Sequence, residues 1–177
     1  MTSSIKKRAA SVEAIVFDVD GVLTGGEIIH GPDGEWKIFN VKDGHGFVLA
    51  RKAGLKIGLL TARRSAAVRR RAAELKVDVL FEGAKDKGSG LTAVLSRMGV
   101  TAEKACYVGD DLVDLPAMAV VGLPVAVADA VPEVRLAAGW VTKNRGGKGA
   151  AREVVEGILK AKGIWRTLVA RCRRGEG

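Results

Sequence analysis

The sequence has few cysteines, few aromatic residues and no long hydrophobic run. Only 2 of its 177 residues are cysteines, and since Cys106 lies in an apolar run and Cys172 in a basic segment, we expect free thiols. Aromatic residues make up 5% of the chain, which argues against a protein that stacks nucleic-acid bases on its rings. The longest apolar stretch, residues 115–131, is interrupted by two prolines and an aspartate, so no membrane helix is expected. Residues 1–11 lack the apolar block of a signal peptide, which favours a cytoplasmic protein.

The charge balance is basic. The chain carries 29 lysines and arginines against 20 aspartates and glutamates, a formal net charge of +9. This excess favours anionic partners. Because the basic residues are spread over several segments instead of one recognition element, phosphorylated metabolites are favoured over nucleic acid. A length of 177 residues with 47% hydrophobic and 28% charged residues is typical of one folded domain.

Short apolar runs alternate with segments of helical periodicity. The apolar runs predict buried strands at residues 12–18, 55–61, 77–81, 105–109 and 124–127. The periodic segments predict helices at residues 46–53, 65–75, 91–98 and 150–161. This alternation predicts an α/β fold with a central parallel sheet covered on both faces, a Rossmann-like three-layer sandwich. Reactive side chains are then expected beyond the carboxyl ends of the strands.

One interval departs from that alternation. Residues 27–39 form two extended arms around Gly31-Pro32-Asp33-Gly34, which predicts a β-hairpin over about residues 26–40 that projects from the sheet. An isolated hairpin is only marginally stable, so we expect it to pack against neighbouring subunits. The domain is assigned to residues 12–162, with a loose N-terminus at 1–11 and a basic tail at 163–177.

The strongest chemical signal is a pair of aspartates that follows the first predicted strand. Side chains two positions apart on an extended chain point to the same side, so Asp18 and Asp20 can face one bound group. Adjacent carboxylates repel each other unless a cation or a shared proton compensates. Magnesium, which prefers oxygen ligands, is the natural cation. A simple polar strand end would account for one aspartate but poorly for two.

A second acidic set follows the strand predicted at residues 105–109. If a helix begins just after Asp110, then Asp110 and Asp114 lie one turn apart on the same face and can complete a metal site. The alternative is a helix N-cap provided by Asp110 or Asp111.

Two further strand ends carry candidates for phosphate binding. Thr61 precedes a predicted helix, where a hydroxyl and backbone N–H groups can bind an anion, although Thr61 can equally be a simple cap. Lys87 follows the strand at 77–81, and a lysine there can hold a phosphoryl oxygen, as can Lys85. Together the four strand ends suit phosphoryl transfer, in which one aspartate attacks phosphorus and another transfers protons.

These residues resemble the haloacid dehalogenase superfamily. Its four motifs occur in order as Asp18-Val-Asp20-Gly-Val-Leu-Thr, Thr61, Lys87 and Gly109-Asp110-Asp111-Leu-Val-Asp114. Segments 39–46, 108–116, 125–130 and 146–153 are further similar to its capless family of 3-deoxy-D-manno-octulosonate 8-phosphate phosphatases. The resemblance covers about residues 12–162.

The resemblance implies an assignment for each motif. Asp18 would be the nucleophile and Asp20 the acid/base. Mg²⁺ would be bound by Asp18, the backbone carbonyl of Asp20, Asp110 and Asp114, and phosphate by Thr61 and Lys87. The residues where the family contacts its sugar acid would be Asn40, Val41, Lys42, Asp43, Gly44, Arg63 and Arg71.

The resemblance also implies a biological setting. It implies a magnesium-dependent hydrolase of a small acidic sugar phosphate in lipopolysaccharide biosynthesis, without an inserted cap and assembled as a homotetramer. Gly25 and Val48 depart from the family pattern, where aspartate and arginine are common. A phosphatase for a sialic-acid-type 9-phosphate or another small phosphomonoester is therefore kept as an alternative. A phosphoryl-receiving regulatory or anion-binding module without turnover is a second alternative, although residues 60–64 lack the middle aspartate of a receiver.

Overall fold

The computed structural model describes residues 1–32 and 34–175, so Asp33 in the predicted hairpin turn and residues 176–177 of the predicted tail lie outside the described residues. The sheet strands are β1 (Ala14–Phe17), β4 (Lys56–Thr61), β5 (Val79–Glu82), β6 (Ala105–Gly109), β7 (Leu123–Ala126) and β8 (Trp140–Val141). They are all parallel, in the spatial order β5-β4-β1-β6-β7-β8. A separate antiparallel hairpin pairs β2 (Ile29–Gly31) with β3 (Gly34–Trp36), as predicted.

Helices cover the sheet. They are α1 (Ser3–Ser11), α2 (Val41–Lys52), α3 (Ala66–Glu74), α4 (Lys87–Met98), α5 (Leu115–Met118), α6 (Pro132–Ala137), α7 (Ala150–Ala161) and α8 (Trp165–Arg173). Consecutive positions of β4 show that both faces of the sheet are covered. Gly58 lies against Val94 of α4, whereas Leu59 shares an apolar pocket with Phe47 of α2. The predicted three-layer α/β sandwich is therefore confirmed.

The central strand β1 is enclosed on all sides. All four of its residues are buried, as expected for a strand with parallel neighbours on both sides and helices on both faces. Phe17, the last residue of β1, stacks on Phe47 with 4.9 Å between ring centroids. Fully burying a side chain of this size contributes about 1.5–3 kcal/mol, so the residue before Asp18 is firmly held.

Both termini differ from the prediction. The N-terminus is not loose, because residues 3–11 form α1 and bury Ile5 and Ala9 against the domain. Residues 165–173 of the basic tail form α8, which buries Leu168. The periodic pattern was too weak to reveal these helices, since each buries only one or two side chains.

Internal elements also differ, among them the start of α4, which lies at Lys87 and not at residue 91. Helix α2 begins at Val41 and not at residue 46, because the side chain of Asn40 accepts a hydrogen bond from the N–H of Lys42 at 2.8 Å and caps the helix. Strand β8 was missed because two residues are too short for an apolar run. Between Thr61 and Lys87 the chain holds only α3 and β5, so no cap domain is inserted there. No helix among residues 1–32 and 34–175 is long and apolar enough to cross a membrane.

Candidate active site at the carboxyl edge of the sheet

Four neighbouring elements bring the predicted chemical groups to one edge. Asp18 follows β1, Thr61 ends β4, Lys87 begins α4 after β5, and Asp110 follows β6. Because these strands are adjacent and parallel, their carboxyl ends meet around one cavity of about 190 Å³. The cavity is lined by Asp18, Asp20, Thr61, Ala62, Arg63, Lys87, Asp110, Asp111 and Val113.

Lys87 lies at the centre of this site and is buried. Its Nζ contacts Oδ2 of Asp18 at 2.8 Å and Oδ1 of Asp114 at 2.6 Å. Burial by itself lowers the pKa of Lys87, but the two carboxylates outweigh that effect and raise the pKa overall. An ammonium group has three N–H donors, so one donor remains for a phosphoryl oxygen.

Asp114 organises the turn after β6. It is fully buried, and its Oδ1 accepts hydrogen bonds from Lys87 and from the hydroxyl of Tyr107 at 2.7 Å. Its Oδ2 accepts from the N–H groups of Asp110 at 2.8 Å and Asp111 at 3.2 Å. Asp110 and Asp114 are thus as close as predicted, and of the two capping alternatives it is Asp111 whose side chain caps the following turn, at Leu112.

Tyr107 was not identified from the sequence. Burial, together with the carboxylates of Asp114 and Asp18, raises the pKa of Tyr107, so the phenol stays protonated and remains a donor. The only available signal was a hydroxyl-bearing residue within an otherwise apolar strand.

The acidic cluster fits a divalent cation. One carboxylate oxygen each from Asp18, Asp110 and Asp114 lie within 4.8 Å of one another. Oδ1 of Asp110 is buried and has no hydrogen-bond partner among the described residues. Burial, with repulsion between the carboxylates, raises the pKa of Asp18 to about 6 and that of Asp110 to about 8. A hard cation would compensate these charges and bind the free oxygen, as expected for Mg²⁺.

Gly21 is required by the geometry of this cluster. Its φ of +86° is a conformation that side chains disfavour, and a Cβ there would lie 2.0 Å from Oδ2 of Asp110. Gly146 packs equally closely on the other side, because a Cβ at Gly146 would lie 1.7 Å from the carbonyl oxygen of Gly21. The N–H of Gly147 also donates to the carbonyl of Val22 at 2.9 Å. The segment around Gly146 therefore supports the loop that carries the catalytic aspartates.

Thr61 has features of both roles left open by the sequence. Its side chain is buried and lines the cavity, and Oγ1 accepts a hydrogen bond from the N–H of Arg63 at 3.2 Å. Because a hydroxyl accepts and donates at once, its hydrogen remains able to donate to a phosphate. Lys85, the alternative to Lys87, does not line the cavity.

Asp20 lies apart from the acidic cluster. Its carboxylate forms an ion pair with Lys37, which follows β3, and its Oδ2 lies 3.9 Å from Nε of Arg63. The side chain of Asp20 is therefore not among the clustered metal-ligand atoms, and only its backbone carbonyl is left for the metal role implied by the resemblance. Lys37 was missed by sequence reasoning, because its partner is 17 positions away in the chain.

The expected sugar contacts divide into two groups. Arg63 lines the catalytic cavity, whereas Asn40, Asp43, Gly44 and Arg71 line a separate small apolar pocket. The guanidinium of Arg71 lies over the ring of Phe39, at 5.8 Å from its centroid.

Three of these residues have other surroundings in the structure. The carboxylate of Asp43 is buried and accepts hydrogen bonds from the N–H groups of Gly149 at 3.2 Å and Arg152 at 2.7 Å, so it links α2 to the start of α7. Val41 and Lys42 are exposed on the first turn of α2. Of the seven expected sugar contacts, the structure thus brings Arg63 to the cavity of the reacting groups but not Asn40, Val41, Lys42, Asp43, Gly44 or Arg71.

Comparison with known proteins identifies relatives of this chain. A family model described as haloacid dehalogenase-like hydrolase matches residues 77–154. The 3-deoxy-D-manno-octulosonate 8-phosphate phosphatase of Escherichia coli strain K12 is 38% identical over 164 residues, which cover 92% of this chain and 87% of that protein. The Haemophilus influenzae protein of the same name is 39% identical over 90% of this chain and 89% of its own.

Solved structures of phosphatases with this name also superpose closely on this chain. The Moraxella catarrhalis 3-deoxy-D-manno-octulosonate 8-phosphate phosphatase, in complex with magnesium, phosphate and KDO, superposes with a TM-score of 0.92 at 34% identity, over 96% of this chain and 98% of that one. The Yersinia pestis phosphatase of that name superposes with a TM-score of 0.91 at 38% identity, over 94% and 90% of the two chains. Because relatives of this identity match nearly the whole sequence, the chain belongs to the 3-deoxy-D-manno-octulosonate 8-phosphate phosphatase family of the haloacid dehalogenase superfamily.

Proposed function

We propose that this protein hydrolyses 3-deoxy-D-manno-octulosonate 8-phosphate to the free sugar acid and phosphate. The observation that carries the proposal is the set of buried Asp18 and Lys87 with partly buried Asp110 at the carboxyl edge of the sheet, in a chain similar to phosphatases of this name over nearly its whole length. Phosphomonoester hydrolysis requires a positioned nucleophile and neutralisation of phosphoryl charge, and this edge provides both.

In the first step, the carboxylate of Asp18 attacks phosphorus. A bond forms between its oxygen and phosphorus while the bond from phosphorus to the sugar oxygen breaks, and the electron pair stays on that oxygen. Asp20, which lines the cavity and lies apart from the acidic cluster, gives the leaving oxygen its proton. The free N–H donor of Lys87 and the hydroxyl of Thr61 hold phosphoryl oxygens.

In the second step, water releases the phosphate. Asp20, now a carboxylate, takes a proton from a water molecule whose oxygen attacks the phosphorus of the aspartyl phosphate. The bond between phosphorus and the Asp18 oxygen breaks, which restores the Asp18 carboxylate. Mg²⁺ would be held by Asp18, Asp110 and the backbone carbonyl of Asp20, and would supply charge neutralisation for the phosphoryl group. Asp114 keeps Lys87 and the Asp110 backbone in place.

A substrate panel tests this proposal. Purified protein is incubated with 3-deoxy-D-manno-octulosonate 8-phosphate, a sialic-acid-type 9-phosphate and simple sugar phosphates, with Mg²⁺ or with chelator, and phosphate release is measured. We expect the eight-carbon substrate to have the highest kcat/KM and every activity to disappear in chelator. Preference for the nine-carbon substrate, equal slow turnover of all, or a phosphoaspartate that lasts for minutes would contradict the assignment.

We also propose that the chain assembles as a homotetramer through its hairpin. The hairpin and the residues after it expose Ile28, Trp36, Ile38 and Val41, and Ile38 is 70% exposed. Contiguous exposed apolar side chains of this kind favour burial against another subunit. Light scattering of the wild type is expected to give four chains, and Ile38→Glu is expected to give smaller species. A monomeric wild type would contradict the tetramer.

The location of the protein in the cytoplasm stays a prediction.

A further inference from the structure

Lys37 is the most enclosed cation near the active site that the proposed reaction does not use. It follows β3 on the hairpin, and only 1% of its side chain is exposed. Its Nζ contacts Oδ1 of Asp20 and, at 2.7 Å, Oε1 of Glu35. Burial by itself lowers the pKa of Lys37, but these two carboxylates outweigh it and raise the pKa overall. The positive charge of this buried ammonium is therefore compensated by two nearby carboxylates, those of Asp20 and Glu35.

Arg63 closes the arrangement into a ring. Its Nη2 pairs with Oε2 of Glu35, and its Nε lies 3.9 Å from Oδ2 of Asp20. The order around the ring is Asp20, Lys37, Glu35 and Arg63, so acids and bases alternate. We call these four residues the hairpin ring. It joins the loop after β1, the hairpin and the loop after β4.

Within the hairpin ring, two of the four residues face the cavity of the active site. Asp20 and Arg63 line the catalytic cavity, whereas Lys37 and Glu35 do not. With 1% of its side chain exposed, Lys37 has no surface to offer a ligand. Any effect of Lys37 on the reaction must therefore pass through its partners, directly through Asp20 or through Glu35 to Arg63.

The contact with Lys37 also distinguishes the two oxygens of Asp20. Lys37 engages Oδ1, whereas Oδ2 lies 3.9 Å from Arg63, which is beyond hydrogen-bonding distance. A carboxyl group tied at one oxygen keeps one rotamer, and a misplacement of about 1 Å can cost about 100-fold in rate. Oδ2 is then the oxygen left to exchange a proton with the substrate.

We propose that Lys37 is a positioning residue that holds the carboxyl of Asp20 at the mouth of the cavity, so that the hairpin takes part in proton transfer. This inference rests on the proposed phosphatase reaction with Asp20 as acid and base. It assigns the hairpin a role inside its own chain, separate from any contact between subunits.

The leaving group of the substrate provides the test. A sugar alkoxide needs a proton as it leaves, whereas p-nitrophenolate leaves without one. We compare wild type, Lys37→Met and Lys37→Arg on the sugar phosphate and on p-nitrophenyl phosphate. For Lys37→Met we expect the rate of leaving-group release in a single turnover, which precedes the water step that Asp20 also assists, to fall about 100-fold on the sugar phosphate, with little change in KM, and at most about threefold on p-nitrophenyl phosphate. Lys37→Arg, which keeps the charge, is expected to recover part of the loss.

Two further variants separate positioning from folding. Lys52→Met, at an exposed lysine of α2, is the matched control and is expected to behave as wild type on both substrates. Lys37→Met is also combined with Asp20→Asn, and we expect the double variant to be no slower than Asp20→Asn alone, because both changes remove one function. If Lys37→Met does not fold, Glu35→Gln replaces it, with the same selective loss expected at a smaller size.

Each result decides the inference. Equal losses on the two substrates, or losses that add to those of Asp20→Asn, would overturn the positioning role. If wild type turns over the sugar phosphate but Lys37→Met matches it, the inference fails while the proposed function stands. If wild type releases no phosphate from any substrate with Mg²⁺, the proposed function itself fails.

Discussion

The two halves of the active site are built differently. The half around Asp18, Lys87 and Asp114 lies on the sheet edge, where these residues are 5%, 4% and 0% exposed. The half around Asp20 and Arg63 depends on the hairpin, and these side chains are 27% and 46% exposed. The charged side chains of the buried half are attached to the edge of the central sheet. Those of the exposed half, Asp20 and Arg63, form ion pairs with residues of the two-stranded hairpin. The proposed nucleophile and metal-binding side chains are thus fixed by the core, whereas the proposed proton-transfer group, Asp20, is held by the hairpin.

The largest expected effect is on the buried half. Asp18→Asn keeps the shape of the side chain and its acceptor oxygen for Lys87 but removes the attacking charge. We expect kcat to fall at least about 10⁴-fold, as is typical when a nucleophile is removed. Because Asp18 is buried with its pKa raised to about 6, loss of its charge is expected to leave the metal-free melting temperature unchanged or higher. Glu133→Gln, at an exposed position of α6, is the control, and substantial residual activity in Asp18→Asn would reject the assignment of the nucleophile.

The next effect concerns the cation. Asp110→Asn removes a carboxylate whose buried Oδ1 has no partner among the described residues. We expect the Kd for Mg²⁺ to rise about 100-fold in calorimetric titration, because a neutral amide is a poor ligand for a hard cation. An unchanged Kd would place the metal elsewhere.

A smaller effect is expected from the support behind the cluster. Tyr107→Phe removes the hydroxyl that donates to Asp114 at 2.7 Å. We expect the free energy of unfolding in urea to fall by about 1.5–3 kcal/mol, the range for a hydrogen bond to a charged group. With Lys87 less firmly held, kcat is expected to fall about tenfold.

A hydroxyl on the surface gives the matching control. Thr92→Val removes a hydroxyl that donates to the carbonyl of Gly88 on the exposed side of α4, and less than about 0.5 kcal/mol should be lost there. Equal losses at Tyr107 and Thr92 would show that the Tyr107 hydroxyl has no special role.

The smallest expected effect lies in the exposed half. Trp36→Ala removes the ring that packs over Gly31 within the hairpin. Because a two-stranded hairpin is only marginally stable, its loosening should lower kcat on the sugar phosphate about threefold while the Kd for Mg²⁺ stays within about twofold of wild type. A change in Mg²⁺ affinity would show that the two halves are not separable.

The same division explains how much could be predicted from the sequence. Asp18, Thr61, Lys87 and Asp110 lie at or beyond the carboxyl ends of strands that were predicted from apolar runs, so the parallel arrangement of those strands predicted that the four groups meet. These side chains meet because their strands are parallel members of one sheet, and that sheet was predicted from the pattern of hydrophobic residues. The four side chains at the sheet edge and the fold class could therefore be predicted from the sequence alone.

The roles of other residues could not be predicted from the sequence, because their partners are determined by side-chain packing. Lys37 reaches Asp20 across the hairpin, and Tyr107 reaches Asp114 across a turn, and no periodicity encodes either contact. Asp43 was expected at the sugar but caps the start of α7, because helix N–H groups far along the chain compete for its carboxylate. The helix α1 was missed since only Ile5 and Ala9 mark its buried side.

The close contact between Gly21 and Gly146 has a consequence for biosynthesis. The two glycines lie near opposite ends of the chain, yet the backbone of the later one supports the loop that holds Asp20. A nascent chain on the ribosome that has exposed all the sheet-edge groups still lacks this support. Activity should therefore arise only after the segment around Gly146 has emerged from the ribosome and packed on this loop.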